Sequence, residues 1–272
     1  MVDIFSSNLE IIRRNFHYLE VDKINKDSVC LMAKQVGITL DPNKISLKSD
    51  WKAYKKYFVL DENNTPILFI KQVWERTVIQ ELIALHFCKY IFDKELVPDD
   101  YLFGLHYPKA ISKDPIPYMM LKIVPGKPIE KQYWENYSHQ LGTQLKLHQM
   151  ISLYDCDLRH FFAEQGQEQI RRIDFGLSFY HLDSRYRGFE EYMPKGLPYV
   201  RDFWKGYRVE EAKLDVILLN TREELKRLLG EIQKFQKDDL VNFNGVEFVV
   251  ALKTYWDREK LSVLDFRRFD IL

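Results

Sequence analysis

The chain has 272 residues, enough for one large domain or two packed lobes. It is 46% hydrophobic and 14% aromatic, and its 40 basic and 40 acidic side chains cancel. That balance removes any global electrostatic reason to expect nucleic acid as a partner. Three scattered cysteines, Cys30, Cys88 and Cys156, contain no C-x-x-C pair. They argue against a zinc site or a disulfide framework and suit reduced thiols. The first residues, MVDIFSSNLEIIRRNF, lack a basic start followed by an apolar run, and no stretch approaches the roughly 18 uninterrupted apolar residues of a membrane span. A cytoplasmic location is expected, with peripheral membrane contact, or export by a route leaving no N-terminal signature, left open.

Leu9, Ile12, Phe16 and Leu19 recur at helical spacing behind the capping oxygens of Ser6, Ser7 and Asn8, which predicts a helix over 3–20. Residues 43–72 read as three strands: Lys44–Leu47, Tyr54–Leu60 and Ile67–Ile70. Asp61–Pro66 is a strong turn between the second and third. Lys71 ends the third strand. Val78, Leu82 and Leu85 mark an amphipathic helix over 74–92, with Glu81 inside it. Pro117–Val124 is a further apolar strand, broken by Pro125-Gly126-Lys127-Pro128. Residues 132–150 form a long helix with Tyr137, Leu141, Leu145 and His148 on one face. Gln169–Ile173 is a short strand with Ile170 and Ile173 as its apolar positions. Residues 180–221 mix Arg185, Arg187, Lys195, Arg201, Lys205 and Arg208 with many aromatics, and Gly188, Gly196 and the Pro194/Pro198 pair suggest loops. This stretch reads as a solvated face, with an anionic-lipid or inositol-phosphate surface as the alternative. Helices are expected over 222–235 and 246–256.

The stretch 153–179 concentrates the chemistry: Asp155, His160 five residues on, and Asp174-Phe175-Gly176 nineteen residues after Asp155. Phosphoryl transfer needs one carboxylate at the attacking hydroxyl and a second, with another ligand, holding metal on the nucleotide phosphates. The Asp-Phe-Gly tripeptide, with Lys71 and Glu81 upstream in order, resembles the protein-kinase-like superfamily. Asp155-Cys156-Asp157-Leu158-Arg159-His160-Phe161 is most similar to the HRDC-x-aliphatic-x-HF loop of bacterial lipopolysaccharide kinases of the heptose and Kdo type.

The resemblance implies a two-lobed α+β fold: an N-terminal helical extension (1–40), a small β-rich N-lobe (41–123) and a helical C-lobe (124–272). It implies ATP as donor and Mg²⁺ or Mn²⁺ as metal. Lys71, paired with Glu81 (or, alternatively, Glu75), would contact the α- and β-phosphates. Lys122, Ile123 and Val124 would present backbone groups to adenine. Asp155 would be the catalytic aspartate, with His160 and Asp174 on the metal. In a second register Asp157 is catalytic, but Phe162 then falls at a ligand position, which phenylalanine cannot fill. His148 reads as structural.

The chain departs from the pattern in three places. No glycine lies between Gly37 and Gly104, so Lys48–Ala53 replaces a Gly-rich phosphate loop, with Lys48 or Lys52 as added charge. Leu153 and Tyr154 replace the His-Arg before the catalytic aspartate. No A-P-E follows the D-F-G. The expected function is an ATP-dependent phosphotransferase acting on a hydroxyl of a lipopolysaccharide-type sugar or of a protein. The alternatives are a host- or self-directed protein kinase and a nucleotide-binding pseudokinase.

Overall fold

The computed structural model describes residues 16–50, 55–73, 75–92, 99–107, 116–124, 126–154, 160–163, 170–184, 200–235 and 243–259. The chain divides into two compact units, one of residues 1–78 and 98–123 and the other of 79–97 and 124–272. The first is built on a sheet and the second mainly on helices, so the expected split into a β-rich and a helical part is present.

The sheet of the first unit has six strands: β1 (Phe16–Glu20), β2 (Ser46–Asp50), β3 (Lys56–Leu60), β4 (Pro66–Gln72), β5 (Asp100–His106) and β6 (Ile116–Lys122). Their order is β1-β5-β6-β4-β3-β2. All pairings are antiparallel except β1 with β5, which is parallel from Phe16↔Leu102 to Glu20↔His106. The β3–β4 turn forms where the sequence predicts it. Asp61 Oδ1 accepts the N–H groups of Asn63 and Thr65 at 2.9 and 2.8 Å, and Asn64 takes φ 60°. Asn tolerates that left-handed geometry because its short polar side chain bonds locally.

Helix α1 (Lys26–Gln35) starts with a reciprocal cap. Asn25 Oδ1 accepts Ser28 N–H at 2.9 Å and Ser28 Oγ accepts Asn25 N–H at 2.8 Å. Its Val29, Met32 and Ala33 join the unit's core with Tyr57, Val59, Leu68, Ile70, Phe103, Leu105, Tyr118 and Met120. Side chains alternate along a strand, so Lys71 lies on the opposite sheet face from Ile70, beside its cross-strand neighbour Met119.

One expectation is corrected and one element is added. The predicted helix over 3–20 ends in a strand: Phe16–Glu20 is β1, and residues 1–15 lie outside the described set. The spacing of Phe16 and Leu19 suits a helix, but the free edge of β5 supplies a ladder, and His17 stacks on Phe103 at 5.2 Å. Residues 200–220, where the sequence reading places no helix, form the 21-residue helix α4 (Val200–Asn220).

The second unit holds α2 (Glu75–His86), which continues as a π-helical turn over Phe87–Phe92 and begins in the first unit. It also holds α3 (Ser138–Met150), α4, α5 (Arg222–Gln233) and α6 (Gly245–Arg258), with a small sheet of β7 (Lys127–Pro128), β8 (Phe161–Ala163) and β9 (Ile170–Arg172) in that order. Helices α3 and α4 approach backbone to backbone. A Cβ at Gly142 would collide with the Phe203 carbonyl, and one at Gly206 with the His139 carbonyl. Gly206 is therefore a contact residue of a helix. Phe87, Phe179, Phe248 and Trp256 form an aromatic core with ring centroids 5.1–6.1 Å apart. Among the described residues no helix is long and apolar enough to cross a membrane.

Candidate active site

The β8–β9 hairpin decides which residues meet. Phe161 pairs with Arg172, and Ile173 N–H donates to the His160 carbonyl at 2.9 Å. His160 is thereby set one residue from Asp174 across the hairpin. Its Nε2 lies 4.0 Å from Asp174 Oδ2. Asp174 has φ 66°. A left-handed non-glycine residue is uncommon, and such strain collects at functional sites. Gly176 N–H donates to Asp174 Oδ1 at 3.3 Å, which fixes one carboxylate oxygen and leaves the other towards His160.

A second carboxylate faces the same turn. A Cβ at Gly176 would lie 3.4 Å from Asp174 Oδ1 and 3.6 Å from Glu81 Oε2. Glu81 is 3% exposed while Asp174 is open to solvent. Both carboxylates therefore flank Gly176.

A divalent ion suits part of this donor set. Ligand atoms about 2.1 Å from a metal are about 3.0 Å apart when cis and about 4.2 Å when trans, so a 4.0 Å separation is within reach. Mg²⁺ typically takes one or two carboxylates and completes its shell with water and phosphate oxygens; the imidazole suits Mn²⁺ better. Among the described residues no group of three or more His, Cys, Asp or Glu side chains is placed to hold a metal. Among the described residues, Asp174 and His160 are thus a pair of candidate ligands and not a complete site.

Sequence reading missed Arg172. The buried side of β9 is Ile170 and Arg172. Arg172 is 0% exposed, and its guanidinium lies 5.1 Å over the Phe161 ring and 5.9 Å from that of Phe175. Its Nη2 donates to the Asp174 carbonyl at 3.5 Å. Strand alternation from Ile170 was the available signal. His148, expected to be structural, is buried with its ring 5.6 Å from Phe161. Burial, and then the charge of Arg172, hold it well below the ordinary imidazole range. Burial pushes the Cys88 thiol up to about 12, so it is no nucleophile at neutral pH.

The other predicted site residues belong to other elements or fall outside the described set. Lys71 is 9% exposed at the end of β4. The N–H of Lys122 donates to the Asp99 carbonyl at 3.0 Å, and its Nζ meets Asp99 Oδ2 at 2.9 Å. Ile123 N–H donates to the Ile67 carbonyl at 3.3 Å. Both N–H groups are thus engaged within the first unit. Asp155 and the rest of 155–159, Lys52 and Pro125 fall outside the described residues, as do the side chain of Glu75 and the basic positions Arg185, Arg187 and Lys195. Both flanks of 155–159 are anchored: Leu153 N–H donates to His148 O at 2.9 Å, Tyr154 N–H to Leu177 O at 3.3 Å, and His160 is held by Ile173.

No family model matches the chain. No curated protein matches it. Among solved structures the chain is similar to the apoenzyme of the macrolide 2'-phosphotransferase MphH from Brachybacterium faecium, at 10% identity and a TM-score of 0.40, over 83% of this chain and 97% of that one.

Proposed function

We propose that the chain is an ATP-dependent phosphotransferase of the protein-kinase-like kind, acting on a hydroxyl acceptor. The observation that carries the reading is Asp174, held in left-handed backbone with one carboxylate oxygen on Gly176 N–H and the other 4.0 Å from His160. The order of Lys71, Glu81, Asp155, His160 and Asp174 along the chain supports it. So does the withdrawal of Lys71 and Glu81 from water, since buried charges need charged partners.

In this reading Asp174 and His160 hold Mg²⁺ or Mn²⁺, which neutralises charge on the transferring phosphoryl group. Lys71, oriented by Glu81, binds the α- and β-phosphates. Val124 takes over donation to the adenine edge from Lys122 and Ile123. Asp155 orients the acceptor hydroxyl and takes its proton as the new O–P bond forms and the bond from the γ-phosphorus to the bridging oxygen breaks, releasing ADP. Alignment and charge neutralisation supply most of the rate gain.

The test is γ-phosphate transfer from ATP with Mg²⁺ and with Mn²⁺, in the wild type and in Asp155→Ala, Asp157→Ala and Asp174→Ala. Loss with Asp155 and Asp174, but not with Asp157, is expected. Survival of transfer in Asp174→Ala overturns the reading. Tight ATP binding with no transfer under either metal replaces it with a nucleotide-binding pseudokinase.

A further inference from the structure

Helix α1 has a face that takes no part in the candidate active site. Val29, Met32 and Ala33 go into the core of the first unit, while Asp27, Leu31 and Lys34 are exposed. Their spacing of i, i+4 and i+7 sets them in one row along the helix. The helix ends at Gly37, whose φ of 77° turns the chain back. Ile38 N–H donates to the Ala33 carbonyl at 2.8 Å and Gly37 N–H to the Lys34 carbonyl at 3.1 Å, which ties the returning segment to the helix end.

Between the helix and that segment lies a groove of about 520 Å³, walled by Cys30, Leu31, Ile38 and Leu40. Leu31 is 51% exposed on its lip. Burial, then Asp27 and Asp41, push the Cys30 thiol up, so it is a neutral, apolar wall. Asp27 and Lys34 also line the groove. Seven residues separate them, about 10 Å along a helix, too far for them to pair with each other. Among the described residues neither is in a salt bridge.

We propose that this face of α1 is a homodimer contact, in which Leu31 of each copy fills the groove of the other between two Asp27–Lys34 ion pairs. The row is its own complement. A two-fold axis passing between Cys30 and Leu31 sets a second α1 antiparallel to the first. Asp27 then faces the partner's Lys34, and Leu31 faces the partner's Cys30, because both pairs are centred on the same point of the helix. Other occupants fit less well. The polar groups lining the groove, Asp27, Lys34 and Thr39, are all exposed, so none is buried to orient a small ligand. One charge of each sign gives no pull towards an anionic lipid surface. The core under α1 includes Ile70, and Lys71 lies on the other sheet face, so the pairing leaves the Lys71 side of both copies clear. Helix α1 has ten residues and is about 15 Å long, so the contact is small and the dimer exchanges, with a dissociation constant on the order of 10–100 μM.

Sedimentation velocity on the full chain, from about 1 to 300 μM, tests this. A dimer that grows with concentration is expected in the wild type. Leu31→Glu, Asp27→Lys and Lys34→Asp should each weaken it by at least about tenfold. All three positions are exposed, so urea midpoints close to wild type should accompany the loss. Mixing Asp27→Lys with Lys34→Asp should restore a dimer, because opposite charges then meet at both ends of the contact. The double reversal Asp27→Lys/Lys34→Asp should dimerise with itself for the same reason. A monomer across the whole range, a dimer indifferent to Leu31→Glu, or single reversals that stay monomeric when mixed overturns the proposal. A monomeric wild type that enhances the fluorescence of anilinonaphthalene sulfonate, with the enhancement lost in Leu31→Glu, overturns it too and gives the groove to a small apolar ligand.

Discussion

His160 Nε2 lies 4.0 Å from Asp174 Oδ2, although fourteen residues separate the two in the chain. The register Phe161↔Arg172 closes that gap and fixes both backbones before any ligand arrives. Asp174→Asn keeps the shape of the side chain and removes its charge. It should lower phosphate transfer by roughly 10²–10³-fold with either metal. His160→Asn exchanges a nitrogen ligand for an oxygen, so it should retain Mg²⁺-supported transfer and weaken Mn²⁺ binding. Transfer rates against metal concentration and the electron spin resonance of bound Mn²⁺ check both outcomes.

His148 gives a pH dependence with a definite sign. Its folded pKa lies below the unfolded value of about 6.5, because burial and Arg172 disfavour the cation. Between the two values the unfolded chain binds more protons. Stability contributed by neutral His148 is therefore complete above about pH 6.5 and declines as pH falls below it. His148→Gln, which does not titrate, should flatten the slope of unfolding free energy against pH between about 5 and 6.5. Urea midpoints across that range measure it. An unchanged slope would place the acid sensitivity elsewhere.

Gly142 and Gly206 set the spacing of α3 and α4. A methyl group at either meets a backbone carbonyl of the facing helix, which cannot rotate away. Gly142→Ala and Gly206→Ala should each destabilise by about 1–3 kcal/mol despite the better helix propensity of alanine. At Gly230, on α5, a methyl group would have no neighbouring atom within 4 Å, so Gly230→Ala should stabilise by up to about 1 kcal/mol. Chemical denaturation of the three variants side by side separates packing from propensity.

Arg258 closes the turn after Asp174 with three bonds to carbonyls. Arg258→Lys keeps the charge but loses the planar fork, so it should recover only part of what Arg258→Ala loses. The alanine variant should destabilise by about 2 kcal/mol. It should also make the chain cleavable near residues 180–184, where limited proteolysis with mass mapping would find it.

The local features of the fold were legible where neighbouring residues decide them. Asp61–Pro66 makes its turn through Asp61's own bonds to residues two and four positions on. The apolar spacing of Val78, Leu82 and Leu85 falls on a helix whose core positions are buried. Features that depend on distant partners were not legible. Phe16–Glu20 is a strand because β5 offers an edge, not because of its own spacing. Gly206 lies against the His139 carbonyl, and the helix accepts the glycine's intrinsic cost of about 1 kcal/mol for a closer contact.

The same division holds at the site. By itself the sequence determined which chemical groups exist and in what order: Lys71, Glu81, Asp155, His160, Asp174. Only the tertiary structure decided that His160 and Asp174 meet, that Arg172 turns inward beneath Asp174, and that Lys122 and Ile123 spend their N–H groups inside the sheet. The physical reason is that strand register and burial are set by pairing between segments far apart in the chain, and a residue's own type carries no information about its partner across a sheet.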